Sequence, residues 1–274
     1  MKNTDLYKKI LSQENIFSAI YSLESYIFEK NLLSNKDLSL FYSLGDKHNS
    51  KLITKTIKSC QKKLEDILTS DNFFDIQVYF KAKKYNSEEG SVECRPMHTT
   101  DLLTQICIVC ILNVIMYKEN ENGERELSDL SQLIPSNFYG NLPSTIPERI
   151  FYDWKDKYKE YSENVIRTYD DSKTNHSFKY EVTLDLKNFF PSINPDVIYN
   201  YILDKLCLIY KGKELDILKT ALKKLLIFNV TNLSGSKSSK KYYGEHDAAT
   251  KYSIGVPQGW HLGEFCVNRI SFQT

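Results

Sequence analysis

The feature that most limits how this chain can fold is a single apolar stretch near its middle. Residues Ile106–Tyr117 are apolar except for Asn113. A membrane-spanning helix needs about 20 apolar residues, so the stretch is too short to cross a bilayer. The sequence therefore predicts a helix from Asp101 to Tyr117 that is buried inside a globular protein. Thr99 or Thr100 is the expected N-cap of this helix.

The composition excludes some classes of protein and indicates a compartment. The 274 residues include 36 Lys and Arg against 35 Asp and Glu, which excludes a bulk polycation. A local basic groove would still be enough to bind nucleic acid. The N-terminus lacks the uninterrupted apolar segment of a signal peptide. We interpret Cys107 and Cys110 as core residues, and we expect a cytoplasmic protein that does not associate with membranes.

The spacing of apolar residues divides the chain into two regions. Residues 1–70 predict an N-terminal helical region, because their apolar side chains recur at helical spacing. From residue 71 the segments DIQVYFKAKK and VECRPMHT predict a β-hairpin around the turn YNSEEGS. The expected fold class is α+β. One face of the third helix carries lysines that fit either a solvated surface or a face that follows phosphates; they are Lys51, Lys55, Lys58 and Lys62.

A carboxylate stands at the end of a predicted strand in the second region. The strand KYEVTLDL delivers Asp185, and the aromatic pair Phe189-Phe190 follows. A carboxylate fixed at a strand end suits Mg²⁺, which prefers hard oxygen ligands, and the carbonyl of Leu186 can supply another oxygen. A strand-end aspartate also caps turns, so this stretch leaves both interpretations open.

A glycine-flanked loop follows later in the chain. Its sequence is Gly255-Val256-Pro257-Gln258-Gly259. The two glycines permit close approach of the backbone to a ligand, and the Gln258 amide offers both a donor and an acceptor. A plain turn would have the same composition.

In this order the two stretches resemble motifs A and B of the reverse transcriptases. An apolar strand with Asp185 and an aromatic pair precedes a G-x-P-Q-G loop, as in that family. Arg95-Pro96, on the second hairpin strand just before the buried helix, resembles the fingers motif. The resemblance spans about residue 75 to the C-terminus. It implies the fingers and partial palm of a right-hand polymerase over residues 71–274, behind an N-terminal helical extension.

The resemblance also implies roles at the metal site and beside the sugar. Asp185 would be the first carboxylate of a two-Mg²⁺ site, with the Leu186 carbonyl beside it. Phe190 would be the steric gate that excludes a ribose 2′-hydroxyl, so that dNTP is preferred over NTP.

The same resemblance implies contacts with the incoming nucleotide. Gln258 and Gly259 would line its pocket, and the planar guanidinium of Arg95 would contact the triphosphate. We assign a second phosphate contact to Lys83, although the sequence does not separate it from Lys81 and Lys84. These lysines also fit a solvated hairpin edge that is protected by its charge.

The sequence departs from the family at the third motif. A Tyr-x-Asp-Asp hairpin should follow motif B, but the chain's Tyr-Asp-Asp is Tyr169–Asp171, before Asp185 and among polar residues. We predict that it forms a turn without a catalytic role. No thumb is recognisable. We therefore expect a chain that is incomplete at its C-terminus and does not complete the catalytic step alone.

Residues 136–147 and the helical insertion between the motifs resemble the bacterial abortive-infection polymerases of the AbiA and AbiK kind. This resemblance implies antiphage defence, untemplated and protein-primed synthesis, single-stranded DNA or RNA as a partner, and a homo-oligomer.

The alternative function is a catalytically inactive reverse-transcriptase-like module that binds RNA or a protein partner. The missing carboxylate pair favours that alternative, whereas Asp185, Phe190 and Gln258 favour an enzyme. A helical protein with a hairpin and no site is a third interpretation.

Overall fold

The computed structural model describes residues 4–30, 34–134, 139, 142–175, 180, 193–233, 236–243 and 250–252. Over these residues the protein mixes helices and strands, which confirms the α+β class at that level. The helices are α1 Asp5–Ile10, α2 Gln13–Lys30, α3 Asn35–Leu44, α4 Ser50–Thr69, α5 Leu102–Met116, α6 Trp154–Asn175, α7 Pro195–Ile209, α8 Gly212–Leu226 and α9 Lys237–Tyr243. The strands are β1 Asp75–Asn86, β2 Ser91–Thr99, β3 Tyr117–Glu119, β4 Arg125–Leu127, β5 Phe228–Val230 and β6 Thr250–Tyr252.

The apolar helix α5 lies in the core, as the sequence predicts. Nearly all of its side chains are buried. Its N-cap is Asp101, whose carboxylate accepts a hydrogen bond from the Thr104 backbone N–H at 3.0 Å. The prediction of Thr99 or Thr100 as the cap is wrong, because the Thr100 hydroxyl instead donates to the Asp75 carbonyl at 2.8 Å.

The helices around α5 come from both predicted regions. Helices α1, α2, α4 and α8 all pack against it, and their buried side chains form one continuous apolar cluster. Asn15 of α2 adds a polar tie, since its amide donates to the Cys110 carbonyl at 3.0 Å and to the Ile10 carbonyl at 3.1 Å. The helices predicted before residue 70 are therefore present, and they share a core with the residues that follow.

The predicted hairpin is confirmed. Strands β1 and β2 pair antiparallel from Gln77 opposite Thr99 to Asn86 opposite Ser91, with Gly90 at φ 58° in the turn. The sheet order is β2-β1-β5-β6, with β5 parallel to the start of β1. Pro96 is tolerated in β2 because that strand is an edge of the described sheet. The alternating burial of β1 turns Ile76 and Val78 into the core.

The Tyr-Asp-Asp sequence is helical, so the prediction of a turn is wrong. Tyr169, Asp170 and Asp171 lie in the C-terminal half of α6. Lys173 stabilises this helical turn, because its ammonium lies 3.2 Å from the Asp170 carboxylate and 4.3 Å from the centre of the Tyr169 ring. None of the described helices is long and apolar enough to span a bilayer.

The cysteines of α5 are core residues, as predicted. Cys107 and Cys110 are fully buried beside Cys60 of α4, and the Cys107 thiol contacts the Cys60 carbonyl at 3.7 Å. Burial raises the pKa of both α5 thiols well above the ordinary value. Such thiols stay protonated and unreactive at neutral pH. Across the described ranges, no group of three or more Cys, His, Asp or Glu side chains is arranged to hold a metal ion.

A buried lysine joins α8 to the connection between α4 and β1. The Lys224 ammonium donates to the carbonyls of Ser70 at 2.9 Å and Asn72 at 2.5 Å, and lies 4.1 Å from the centre of the Phe73 ring. Ser70 is the C-cap of α4, where backbone carbonyls lack partners within the helix. A cation suits that position because the C-terminal end of a helix carries partial negative charge.

We expect Lys224→Ala to lower the free energy of unfolding by about 2–4 kcal/mol, since it removes two charge-assisted hydrogen bonds of a buried side chain and leaves a cavity at its position. Urea unfolding followed by circular dichroism measures this loss. The matched control is Lys223→Ala at the adjacent exposed position, which should change the same quantity by less than about 0.5 kcal/mol. Equal effects of the two substitutions would contradict the role given to Lys224.

Candidate functional site

The described residues include only part of the predicted site. Asp185, Leu186, Phe190, Gln258 and Gly259 lie outside them, so their roles stay predictions. Arg95 and Lys83 lie on the two strands of the β1–β2 hairpin. The candidate site is therefore built from this hairpin and the elements that hold it.

Two cations face each other across the hairpin. Lys81 of β1 is the direct cross-strand partner of Arg95 of β2. Side chains at directly opposed positions project from the same face of a sheet, and like charges there repel each other. Lys81 is exposed and Arg95 is half-buried, and within the described residues neither forms an ion pair. The hairpin thus presents two positive charges that form no ion pair among the described residues, and Glu93, two residues before Arg95 on β2, is the carboxylate that strand alternation places on the same face.

The next cross-strand pair on the same face of the hairpin carries no charge and consists of Tyr79 and Met97. Tyr79 is opposite Met97, two residues from Lys81 and Arg95 along each strand, so strand alternation gives all four side chains the same face. Tyr79 is partly exposed, and burial of the remainder raises the pKa of its phenol. An aromatic ring beside two cations can contact a flat organic group while the cations contact phosphate oxygens.

Lys83 occupies a different environment from Lys81. The register of the hairpin shifts between Ala82 and Lys84, which leaves Lys83 as the extra residue of a β-bulge. Its ammonium lies 3.5 Å from the Glu93 carboxylate, and both side chains are more than two-fifths exposed. An exposed pair of this kind is weak, but it partly offsets the charge that Lys83 could offer to a phosphate. Lys81 is therefore better suited than Lys83 to act together with Arg95.

Helix α9 fixes the opposite face of the hairpin. The Tyr242 ring stacks on Phe80 with centroids 6.2 Å apart, and its hydroxyl donates to the Cys94 carbonyl at 3.0 Å. The Tyr243 hydroxyl forms a buried 2.7 Å hydrogen bond with Nε2 of His98. The segment SGSKSSKKYYGEHDAA, which includes α9, is basic and aromatic, and its sequence predicts a flexible loop. That prediction is wrong for residues 237–243, because these two tyrosines anchor the segment.

The charged side chains of the hairpin affect the pKa of Tyr242 in α9. Burial raises the pKa of Tyr242, and the nearby Glu93 carboxylate raises it further. Lys83 and Arg95 oppose this rise, because a nearby positive charge favours the ionised phenolate. These couplings indicate that the cations of the hairpin lie close enough to α9 to act on its side chains.

A cleft of about 780 Å³ separates the tip of the hairpin from α9. Lys84 and Lys241 line it, but three carboxylates line it as well, those of Glu88, Glu89 and Glu93. This balance of charge disfavours a phosphate ligand in the cleft. The paired cations of Lys81 and Arg95 are not among its lining residues, so they form the better candidate for an anion site.

Comparison with known proteins identifies no relative. The chain matches no protein-family model, no curated protein and no solved structure. The resemblance to the reverse transcriptases therefore stays a hypothesis from the three short motifs of the sequence.

We expect Lys81→Ala and Arg95→Ala each to weaken the binding of inorganic triphosphate about tenfold or more, because each removes a charge-assisted contact. Isothermal titration calorimetry without Mg²⁺ measures the dissociation constant. Lys213→Ala, at an exposed position of α8, is the control and should leave it unchanged.

The substitution Lys83→Ala tests whether Lys81 or Lys83 is the lysine that contacts the phosphate. Its effect should be smaller than that of Lys81→Ala, because the Glu93 carboxylate already offsets the Lys83 charge. An equally large loss with Lys83→Ala would contradict the preference for Lys81 and support the residue assigned from the sequence.

Proposed function

We propose that this chain is the N-terminal part of a reverse-transcriptase-type DNA polymerase that acts in bacterial antiphage defence. The observation that carries the proposal is the pairing of Lys81 with Arg95 across the hairpin, directly before the buried helix α5. From the resemblance to the reverse transcriptases, we expect a contact with the triphosphate at this point of the fingers. The proposal also includes untemplated, protein-primed synthesis and self-assembly, because the sequence resembles the abortive-infection subgroup.

In this proposal the hairpin holds the triphosphate of the incoming dNTP. Arg95 offers a rigid fork of donors and Lys81 a point charge, so together they fit a group with several negative oxygens. The anchoring of the opposite face by Tyr242 and Tyr243 supports this role, because a rigid hairpin loses little conformational entropy when it binds. Gln258 and Gly259 would complete the pocket around the nucleotide.

The metal site is proposed from sequence alone. The carboxylate of Asp185 and the carbonyl of Leu186 are the expected ligands of Mg²⁺, which stabilises the developing charge of nucleotidyl transfer when it is bound. Asp185 stands at the end of a predicted strand with alternating apolar residues and five residues before Phe190. This spacing is what connects the metal ligand to the predicted steric gate.

In the longest natural protein that contains this chain, we expect Asp185→Ala to abolish Mg²⁺-dependent incorporation of radiolabelled dNTP, a loss of about 10³-fold or more, because it removes a predicted metal ligand. The matched control is Asp204→Ala at an exposed position of α7, which should retain activity. Undiminished synthesis by the Asp185 variant would overturn its assignment. Absence of synthesis by the unaltered protein would favour the RNA- or partner-binding module instead.

We expect Phe190→Val to raise the incorporation of ribonucleotides relative to deoxyribonucleotides by about tenfold or more, because a smaller side chain no longer clashes with the 2′-hydroxyl. The ratio of kcat/KM for dNTP and NTP measures the change. Phe189→Val alters the adjacent aromatic residue and should leave this ratio unchanged. An unaltered ratio in the Phe190 variant would contradict its role as the gate.

A further inference from the structure

The exposed side of α4 carries a row of lysines. Lys51, Lys55, Lys58 and Lys62 are all exposed, and their spacing gives them one face of the helix. From the first to the last, the row extends about 16 Å along the helix axis. The opposite side of α4 is buried, and its buried residues are Thr56, Ile57, Cys60, Leu64, Ile67 and Leu68. The core thus holds the helix in a fixed orientation, with the lysine row outward.

The charge of this segment is one-sided, in contrast to that of the whole chain. The chain is nearly neutral, with 36 basic and 35 acidic residues, but residues 47–64 contain six lysines and no Asp or Glu. Of these, Lys63 lies outside the row, and its ammonium is 3.6 Å from the Asp101 carboxylate. None of the four lysines in the row forms an ion pair within the part of the chain that the structure describes.

Helices α1 and α6 distribute their lysines differently. In α1 and α6, lysines lie one turn from carboxylates and pair with them. These pairs are Lys8 with Asp5 at 3.5 Å, Lys157 with Glu160 at 2.8 Å and Lys173 with Asp170 at 3.2 Å. In α4 the residue one turn after Lys51, Lys55 and Lys58 is another lysine of the row, and such like charges repel each other and destabilise the helix. Only Lys62 has carboxylates one turn on, Glu65 and Asp66, and it forms no ion pair with either of them. A row that costs stability and is not neutralised locally indicates an external anion.

We propose that the lysine row of α4 binds the sugar-phosphate backbone of a nucleic acid. Four positive charges in a line fit a linear polyanion better than a compact anion such as a nucleoside triphosphate. The row carries no exposed aromatic side chain on which a base could stack, so the binding is expected to be independent of sequence. Lysine contacts to phosphates release counterions, which makes the affinity depend on salt. This surface is separate from the β1–β2 hairpin and requires no catalytic site.

The test compares two variants with the same change of net charge. In the first, Lys51, Lys55, Lys58 and Lys62 are all changed to Gln. In the second, four scattered exposed lysines are changed to Gln; these are Lys36, Lys159, Lys213 and Lys223. Fluorescence anisotropy with a labelled 20-nucleotide oligothymidylate gives the dissociation constant at several salt concentrations. Circular dichroism checks that both variants keep their helical content.

We expect the α4 variant to bind the oligonucleotide at least about tenfold more weakly. The plot of the logarithm of the association constant against the logarithm of the salt concentration has a negative slope, and we expect this slope to become less steep by about 3, as the loss of four phosphate contacts requires. The scattered variant should retain most of its affinity and slope. Equal losses in both variants, or no loss in the α4 variant, would overturn the proposal.

Two further measurements separate this inference from its competitors. A polyglutamate peptide of the same charge should compete poorly, and competition as strong as that of the oligonucleotide would assign the row to an acidic protein instead. Binding of inorganic triphosphate should be unchanged in the α4 variant, because that ligand belongs to Lys81 and Arg95. Loss of oligonucleotide binding in the hairpin variants alone would contradict the α4 surface and leave the polymerase proposal intact.

Discussion

The burial of α5 on every side is the constraint on which the rest of the structure depends. A helix that is apolar all round lowers the free energy of the folded protein only if other elements cover each of its faces. Helices α1, α2, α4 and α8 supply that cover, and Asn15 links α2 to the backbone of α5. The strand β2 leads directly into α5, so the same burial fixes the base of the hairpin that carries Lys81 and Arg95.

The two surfaces with unbalanced charge both project from this core. The lysine row of α4 is the outer side of a helix whose inner side packs on α5. The Lys81–Arg95 pair is the outer face of a hairpin whose inner face packs against α9 through Tyr242. In both cases a rigid apolar contact on one side holds like charges together on the other. The chain as a whole is nearly neutral, so the anion binding that we propose for these surfaces depends on this local segregation of charge.

The sequence predicted the elements whose pattern is local. The apolar run of α5 and the alternation of β1 follow from residue spacing alone, so both were predictable. Besides the N-cap of α5, which is Asp101, the wrong predictions concern segments whose polar composition favours turns. Asp170 and Asp171 are turn formers, but helix α6 continues through them, and Lys173 contacts Asp170 and Tyr169 there. The Ser- and Lys-rich α9 depends on Tyr243 and its bond to His98, 145 residues away in the sequence, which no local pattern could reveal. The local sequence also does not predict the bulge at Lys83. This bulge sets the register in which Lys81 lies opposite Arg95.

The bond between Asn15 and Cys110 also affects how the protein is made, because it joins residues 95 positions apart. A ribosome adds about 5–20 residues per second, so roughly 5–20 s pass before α5 is available to the helices that precede it. During that time α2, whose residues Ile16, Ala19 and Leu23 are fully buried in the finished protein, can pack only against α1 and α4 and lacks its contacts with α5. We therefore expect the newly made N-terminal helices to be the segment most dependent on chaperones and most accessible to proteases during synthesis.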